Sequence, residues 1–210
     1  MSASLEAAIV EGAEQVGVAL GDSIPAQLAD LLTTVHTYSK RINLIAPVSL
    51  NQAVERHVVD SLAMLKTIEQ SPASRPITHW WDVGTGGGFP GLVWAVARPE
   101  MQVTMVERIA KKAALVHQLS RKFAPGRARV ITGKFETLQV PDEPIGLVSR
   151  AVFAPEVWLE KAKVFAPPQS LILVTMGRQE HPDVVDEATQ IDRFILPISG
   201  AARANALIET

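Results

Sequence analysis

The chain has 210 residues, of which 47% are hydrophobic and 20% are charged, and its formal net charge at pH 7 is −2. This length and composition indicate one globular domain with a sizeable core, and the overall charge excludes a uniformly basic protein. The chain contains no cysteine, which excludes disulfides, zinc–thiolate sites and cysteine nucleophiles and fits a reducing compartment.

Helical patterns fill the N-terminal part of the chain. A weak pattern covers residues 4–20. A clearer one runs to residue 42 behind a predicted cap at Asp22-Ser23, with Pro25 in its first turn. A further amphipathic pattern covers residues 50–69, and we predict a helix for each of the three.

The turn-rich stretch 71–76 separates these helices from the remainder. We therefore predict a helical extension over residues 1–76, packed on a core formed by residues 77–210, in one compact unit. The first residues lack the basic and apolar regions of a signal peptide, and no apolar run approaches the roughly 20 residues of a membrane span. We expect a cytoplasmic protein without membrane contact.

From residue 77 onward, short β-type runs alternate with helical ones. The predicted strands are 78–83, 101–107, 128–132, 145–149 and 170–175, and the predicted helices are 90–97, 109–123 and 155–165. Strands that alternate with helices predict parallel βαβ units, and hence an α/β fold with a doubly wound, mostly parallel sheet. The runs 194–198 and 204–208 flank Gly200 and predict a C-terminal antiparallel hairpin.

Five glycines lie between Gly84 and Gly91, at the carboxyl end of the first predicted strand, where open α/β sheets bind ligands. Gly86-x-Gly88-x-x-Gly91 matches the dinucleotide fingerprint. Asp82-x-Gly84-x-Gly86-x-Gly88 matches the acidic-led loop of S-adenosylmethionine-dependent methyltransferases. Glu107 ends the next strand, where a carboxylate can accept hydrogen bonds from a ribose diol. A glycine-rich turn without a ligand is the plain alternative.

The residues around the glycines bear on which cofactor is bound. Phe89 and Pro90 occupy the place where a pyrophosphate would dock at the helix N-terminus. Asp82 and Glu107 add negative charge, which repels phosphates and suits the ammonium and sulfonium groups of S-adenosylmethionine. These features favour S-adenosylmethionine over a nicotinamide dinucleotide.

Three segments of the chain resemble the RsmG (GidB) methyltransferases: residues 82–116, beginning DVGTGGGFPG; residues 41–65, which contain HVVDSL; and LVSRAV at 147–152. The resemblance covers roughly residues 20–178. It implies a Rossmann-like class I methyltransferase fold. It also implies transfer of a methyl group from S-adenosylmethionine to N7 of a guanine in small-subunit (16S) ribosomal RNA.

The resemblance also implies roles for individual residues. Gly84 and Phe89 match cofactor contacts, and Phe135 and Glu136 stand where the family has an Ala-Glu pair beside the adenine. Arg150 matches the family's arginine after the fourth strand, which makes it the candidate catalytic and cofactor-binding residue. The remaining candidates for cofactor binding are Asp82, Gly86, Gly88 and Glu107.

The sequence departs from the family in three places. Phenylalanine replaces alanine at Phe135, and Glu107 stands where many members have aspartate. The chain has Thr175-Met176-Gly177-Arg178 where the family often has a Lys-Gly pair after the fifth strand. If a cation is needed there, Arg178 would have to supply it from a shifted position.

Methylation at guanine N7 requires no general base, because this nitrogen has an in-plane lone pair and no proton. Arg150 could then hydrogen-bond the base or the cofactor carboxylate, or form a structural ion pair with Asp60 or Glu136. His57 and Asp60, three residues apart, fit either an acid/base pair or a helix anchor that shapes the pocket. The other histidines lack the spacing of metal ligands, so we expect no metal.

Charge along the chain is uneven. Residues 98–134 hold nine basic and two acidic side chains, a net +7, whereas the rest of the chain carries −9. This asymmetry favours a basic face against RNA phosphates, although a solvated helix surface has the same pattern. The four tryptophans, Trp80, Trp81, Trp94 and Trp158, are candidates for base stacking, with at least one of the first two expected in the core.

The combined prediction is a methyltransferase that acts on 16S ribosomal RNA, within the small subunit and as a monomer. Two alternatives from other classes remain open. One is an NAD-dependent oxidoreductase that uses the same glycine loop. The other is a non-catalytic RNA-binding factor for ribosome assembly that uses only the basic segment.

Overall fold

The structure, a computed structural model, describes residues 2–73, 75–179 and 181–210. Helix α2 illustrates how its elements form. Ser23 holds the predicted N-cap position, but its hydroxyl bonds the Gln27 side chain and no side chain caps the helix. The apolar side chains spaced along α2, such as Leu28, Leu32 and Val35, are completely buried. The N-terminal helices are α1 (Ser2–Gln15), α2 (Ile24–Ile42), α3 (Leu50–Ala53) and α4 (Asp60–Glu69).

The predicted helix over residues 50–69 is interrupted by six residues of π-helix, Val54–Val59, here called the π segment. Ser49 starts α3 with a capping box, because its hydroxyl accepts from the Gln52 amide while the Gln52 side chain accepts from the Ser49 amide. The π segment adds one residue to a turn, which changes the direction of the side chains after it. Such insertions are frequent at functional sites.

The sheet has seven strands in the order β3-β2-β1-β4-β5-β7-β6. Its strands are β1 (His79–Val83), β2 (Gln102–Glu107), β3 (Ala128–Thr132), β4 (Gly146–Ser149), β5 (Leu171–Met176), β6 (Gln190–Ile195) and β7 (Ala202–Glu209). The first five are parallel, and β7 runs antiparallel to both β5 and β6. The predicted doubly wound sheet and C-terminal hairpin are confirmed.

The hairpin differs from the prediction in two details. Strand β6 lies at 190–195 instead of 194–198, and β7 inserts between β5 and β6, so that the last strand of the chain is not an edge. A short helix that the sequence did not predict precedes the hairpin. The remaining helices are α5 (Gly91–Ala97), α6 (Ala110–Phe123), α7 (Pro155–Phe165) and α8 (Pro182–Glu187).

Two hydrophobic cores lie on the two faces of the sheet. One contains the N-terminal helices with α5 and α6, and the other contains α7 and α8. Successive residues of a strand point to opposite faces, so Trp80 packs edge-on against Trp94 in the first core while Trp81 packs on Phe165 in the second. All four tryptophans are at most 4% exposed, so the prediction that they could stack on a base is wrong.

None of the helices in the described part of the chain is long and apolar enough to cross a lipid bilayer.

Candidate active site

A cleft of about 790 Å³ opens at the carboxyl ends of β1, β4 and β5. One wall, called here the loop wall, is the glycine loop of residues 82–91 with Glu107, of which Gly84, Thr85, Gly86, Gly87 and Phe89 line the cleft. The facing wall comprises the π segment with Asp60, Arg150, and residues 196–205. The cleft therefore lies where the glycine pattern predicted a ligand site, at the edge of an α/β sheet.

Gly84 shows why the loop wall contains so few side chains. Its φ is +76°, and a Cβ built on it would come within 2.4 Å of Val152 Cγ2. Gly84 and Gly86 both line the cleft. Gly88 also has positive φ, but a Cβ there would meet Leu92, so this glycine serves helix packing and does not line the cleft. The Val152 side chain fills the position that a Cβ would take at Gly84, so only glycine fits there, as its positive φ also requires.

Asp82 lies beneath the loop and does not line the cleft. Its Oδ2 accepts hydrogen bonds from the Thr85 hydroxyl (2.6 Å) and the Gly91 amide (2.9 Å). Its Oδ1 is buried and has no partner among the described residues. Burial raises the pKa of Asp82 to about 6, against the opposing effect of these hydrogen bonds. In this structure Asp82 braces the glycine loop.

Glu107 is also buried, at 5% exposure, and it holds the loop from the end of β2. Its Oε2 accepts from the Gly86 amide at 3.1 Å and its Oε1 from the Ile109 amide at 2.9 Å. Each carboxylate oxygen keeps a second lone pair, so these contacts leave it able to accept from a ribose. The ribose-binding role remains a prediction.

Arg150 lines the cleft and connects the loop after β4 to the π segment. Its Nη1 donates to the Arg56 carbonyl at 2.6 Å and lies 3.1 Å from Asp60 Oδ2, and its Nη2 lies 3.2 Å from His57 Nδ1. Of the two ion-pair partners considered from the sequence, Asp60 is the one present. Glu136 instead pairs with Lys161 at 2.7 Å.

His57 stacks on Phe89, with ring centroids 4.9 Å apart, so both side chains join the two walls at one end of the cleft. Burial, together with the charges of Arg150 and Arg56, lowers the pKa of His57 to about 3. Arg150 can only donate, so Nδ1 accepts and the ring proton lies on Nε2, which is buried without a partner among the described residues. A neutral His57 beside an ion-paired Asp60 supports the anchoring interpretation of the two residues.

The structure places Phe135 and Glu136 outside the lining of the cleft. They form a short 3₁₀ turn after β3. Phe135 is 4% exposed and packs on Phe165, with ring centroids 4.4 Å apart, while Glu136 is exposed at the surface. The hydrogen bond from Lys161 lowers the pKa of Glu136. Their contact with an adenine remains a prediction.

Sequence reasoning missed several residues of the facing wall. Glu55, 3% exposed, accepts hydrogen bonds from the amides of Ile198 and Ser199 and so attaches the hairpin loop to the π segment. Arg203 Nε lies 4.0 Å from Asp60 Oδ1. No short motif signals either contact, since the partners are more than 140 residues apart in the chain. The HVVDSL segment was the nearest available signal.

The position after β5 lacks the lysine of the family pattern. Thr175, Met176 and Gly177 line the cleft, whereas Arg178 lines a neighbouring cavity. The guanidinium groups that do line the cleft are those of Arg56, Arg150 and Arg203. Arg178 therefore does not replace the missing lysine in the cleft wall.

The basic segment does not form one face. Helix α6 runs from the carboxyl edge of the sheet to its amino edge, so the nine basic residues divide between the two edges. At the carboxyl edge, near the cleft, are Arg108, Lys111, Lys112 and Lys134, and at the amino edge are Arg98, Arg121, Lys122, Arg127 and Arg129. Only the first group can contribute to a surface continuous with the cleft.

No group of histidine, aspartate and glutamate side chains arranged to hold a metal ion occurs in the ranges that the structure describes.

A family model described as rRNA small subunit methyltransferase G matches residues 24–194. The ribosomal RNA small subunit methyltransferase G of Acidovorax sp. (strain JS42) is 30% identical over 199 residues, which cover 91% of this chain and 87% of that protein. The protein of the same name from Burkholderia multivorans is 32% identical over 183 residues, which cover 85% of this chain and 78% of that protein.

Solved structures with the same fold are more distant in sequence. An O-methyltransferase from Bacillus cereus, in complex with SAH, superposes with a TM-score of 0.60 at 16% identity and full coverage of both chains. The O-methyltransferase TomG from Streptomyces achromogenes, in complex with SAM, gives 0.58 at 14% identity, covering 86% of this chain and 90% of that one. These likenesses show the class I methyltransferase fold.

Proposed function

The chain belongs to the GidB family of rRNA small subunit methyltransferases, and we propose that it transfers the methyl group of S-adenosylmethionine to N7 of a guanine in 16S ribosomal RNA. The observation that carries the proposal is the family match over residues 24–194, which includes every element of both cleft walls before the hairpin loop.

The residues of the cleft fit S-adenosylmethionine. The backbone at Gly84 and Gly86 lines the cleft, and a Cβ at Gly86 would have no atom closer than 3.6 Å, so a ligand can approach the backbone closely there. The charged residues of the lining are three arginines and two carboxylates, Glu55 and Asp60, so that the cleft can receive a cofactor carboxylate and still attract an RNA phosphate. When bound, the cofactor supplies an electrophilic methyl group on a sulfonium.

The protein's own contribution to this reaction is positioning. Guanine N7 has no proton to lose, which agrees with a cleft where His57 is neutral and Asp60 is ion-paired. Arg150 contacts the Arg56 carbonyl, the His57 ring and the Asp60 carboxylate, and these three contacts fix the position of its guanidinium. The fixed guanidinium can then bind the base or the cofactor carboxylate. Fixed alignment of reactants contributes up to roughly 7–11 kcal/mol in favourable cases.

The small ribosomal subunit is the proposed substrate particle, and the cytoplasm the proposed site of action. A monomer suffices for the chemistry, because both walls of the cleft come from one chain. The helical extension over residues 1–76 then acts as part of the site, since Glu55, Arg56 and His57 of its π segment line the facing wall.

Incubation with labelled S-adenosylmethionine and small subunits that lack the modification tests the proposal directly. We expect label in 7-methylguanosine after nucleoside analysis, and naked 16S RNA run in parallel separates the particle from the free RNA as substrate. Label in another nucleoside, or none in either substrate, would contradict the proposal.

The two alternatives give different results. An oxidoreductase would be stabilised in a thermal-shift assay by NAD and not by S-adenosylhomocysteine. A non-catalytic assembly factor would retain its function in cells after Gly84→Asp, whereas we expect a methyltransferase to lose it.

A further inference from the structure

A second cavity of about 320 Å³ adjoins the cleft, between the end of β5 and the β6–β7 hairpin. It is called here the arginine cavity, because Arg178, Arg193 and Arg203 all line it. Met176, Gly177 and Arg203 line both spaces, so a bound chain can pass from one into the other. We propose that the arginine cavity binds the nucleotide adjacent to the target guanine. This assignment rests on the proposed function.

The charge of the arginine cavity fits an RNA phosphate. Arg178, Arg193 and Arg203 all contribute to its lining, with Arg193 and Arg203 on opposite faces of the β6–β7 hairpin, and none of its lining residues in the described part of the chain is acidic. Arg178 is exposed and forms no ion pair within the described residues, so its donors are available. A planar guanidinium can donate two hydrogen bonds to one phosphate, which fixes the register of the RNA backbone.

The opposite side of the arginine cavity is apolar and fits a base. Ile195 is 62% exposed although it lies on a strand, and its neighbour Phe194 is half-buried. Phe194 and Ile195 are successive residues of β6 and point to opposite faces of the sheet, so the exposed side chain of Ile195 alone offers the apolar surface on which a base can pack whatever its identity. A cavity near the lower limit of about 300–1,000 Å³ for ligand sites has room for one nucleotide and none for a duplex.

Arg203 links the arginine cavity to the reacting end of the cleft. Its Nη1 donates to the Ala202 carbonyl at 3.1 Å, and its Nε faces Asp60, the ion-pair partner of Arg150. Arg203 and Arg150 thus share the carboxylate of Asp60 as a partner. A phosphate bound by Arg203 therefore lies close to Arg150, the residue proposed to orient the guanine. This arrangement allows the arginine cavity to set the position of the target base.

The test measures methyl transfer by the full-length protein to unmodified small subunits at several salt concentrations. Arg178→Ala should raise KM for the subunits about tenfold with kcat and the calorimetric Kd for S-adenosylmethionine unchanged, and Arg178→Lys should recover part of the loss. The salt slope of log KM should fall by about 1, corresponding to one lost phosphate contact. Arg75→Ala, an exposed arginine at the amino edge of the sheet, is the matched control and should behave as wild type.

A KM for Arg178→Ala within twofold of wild type, or equal to that of Arg75→Ala, would overturn the subsite. If Arg178→Ala lowered the affinity for S-adenosylmethionine as much as it raised KM for the subunits, Arg178 would belong to the cofactor site. That result would also overturn the subsite. Competition by millimolar inorganic phosphate as strong as that by a short single-stranded RNA would indicate a general anion site, which contradicts a nucleotide subsite. Absence of transfer by the wild-type protein would count against the proposed function itself, and direct binding of the same RNA to both variants would then still test the subsite.

Discussion

The two walls of the cleft are built in different ways. The loop wall is nearly continuous in sequence, and its shape comes from backbone: glycines with positive φ, held by Asp82 and Glu107 through amide hydrogen bonds. The facing wall joins three distant segments through side chains, with Arg150 bonded to Asp60 and Glu55 bonded to Ser199. Adding a side chain should therefore damage the first wall, whereas removing a charge should damage the second.

The largest effect should come from adding a side chain to the loop wall. Gly84→Asp forces a Cβ into the space of Val152 Cγ2 and adds a carboxylate to the wall of the cleft. We expect the Kd for S-adenosylmethionine to rise at least about 100-fold, which is roughly 2.7 kcal/mol. Isothermal titration calorimetry on the folded variant measures this change.

Gly126→Asp is the control for that variant. Gly126 also has positive φ, at +74°, but nothing lies within 4 Å of the Cβ position. Both variants therefore introduce backbone strain of about 1–3 kcal/mol, and only Gly84→Asp blocks the cleft. Equal S-adenosylmethionine affinity in the two variants would show that the loop wall does not bind the cofactor.

The next effect concerns the ion pair of the facing wall. Arg150→Ala should lower methyl transfer on the order of 100-fold. The substitution removes the side chain that holds the π segment and that we propose positions the base or the cofactor carboxylate. Its free energy of unfolding should fall by only about 1–3 kcal/mol. A double-mutant cycle with Asp60→Ala should give a coupling energy of about 0.5–3 kcal/mol in chemical denaturation. A loss of activity that merely follows the loss of stability would make Arg150 a structural residue only.

The two walls should also respond to pH with opposite signs. The pKa of His57 is lowered from 6.5 to about 3, so between these values the unfolded chain binds more protons and the stability contribution rises with pH. The pKa of Asp82 is raised from 3.8 to about 6, so in that window the native protein binds more protons and the contribution falls as pH rises. The two groups partly cancel in the wild-type protein.

Single substitutions should reveal the two contributions. His57→Gln should make the slope of unfolding free energy between pH 4 and 6 more negative, and Asp82→Asn should make it more positive, each by at most about 1.4 kcal/mol per pH unit. Urea denaturation at several pH values measures both slopes. Shifts of the same sign in the two variants would contradict the assigned protonation states.

The smallest effect should come from the attachment of the hairpin loop. Glu55→Gln keeps one carbonyl acceptor for the amides of Ile198 and Ser199 but removes the charge. We expect a loss of about 0.5–1.5 kcal/mol, with faster hydrogen exchange confined to residues 196–201. Glu55→Ala should increase both effects, and unchanged exchange in that variant would show that the loop is held by other contacts.

Much of the loop wall could be predicted from the sequence, because its features are local. Alternating strand and helix patterns located β1 and β2, and the glycine spacing located the cleft at the carboxyl end of β1. Strand periodicity likewise separates Trp80 from Trp81 on the two faces of the sheet. The same reasoning could not show that Asp82 lies beneath the loop, because a pattern of residue types does not show in which direction a single carboxylate side chain points.

The facing wall depended on the tertiary structure. The sequence predicted a helix over residues 50–69 and a hairpin around Gly200, but neither pattern contained the π segment or the insertion of β7 beside β5. Those two features bring Glu55, Asp60 and Arg203 together.

The sequence by itself thus determined the α/β fold, the glycine loop and the family, since backbone dihedral preferences and strand or helix periodicity act over a few residues. Only the tertiary structure decided which of the possible partners Arg150 pairs with and which cavity Arg178 lines. The physical reason is range: an ion pair depends on where two distant segments meet, and that meeting point follows from the packing of the whole chain.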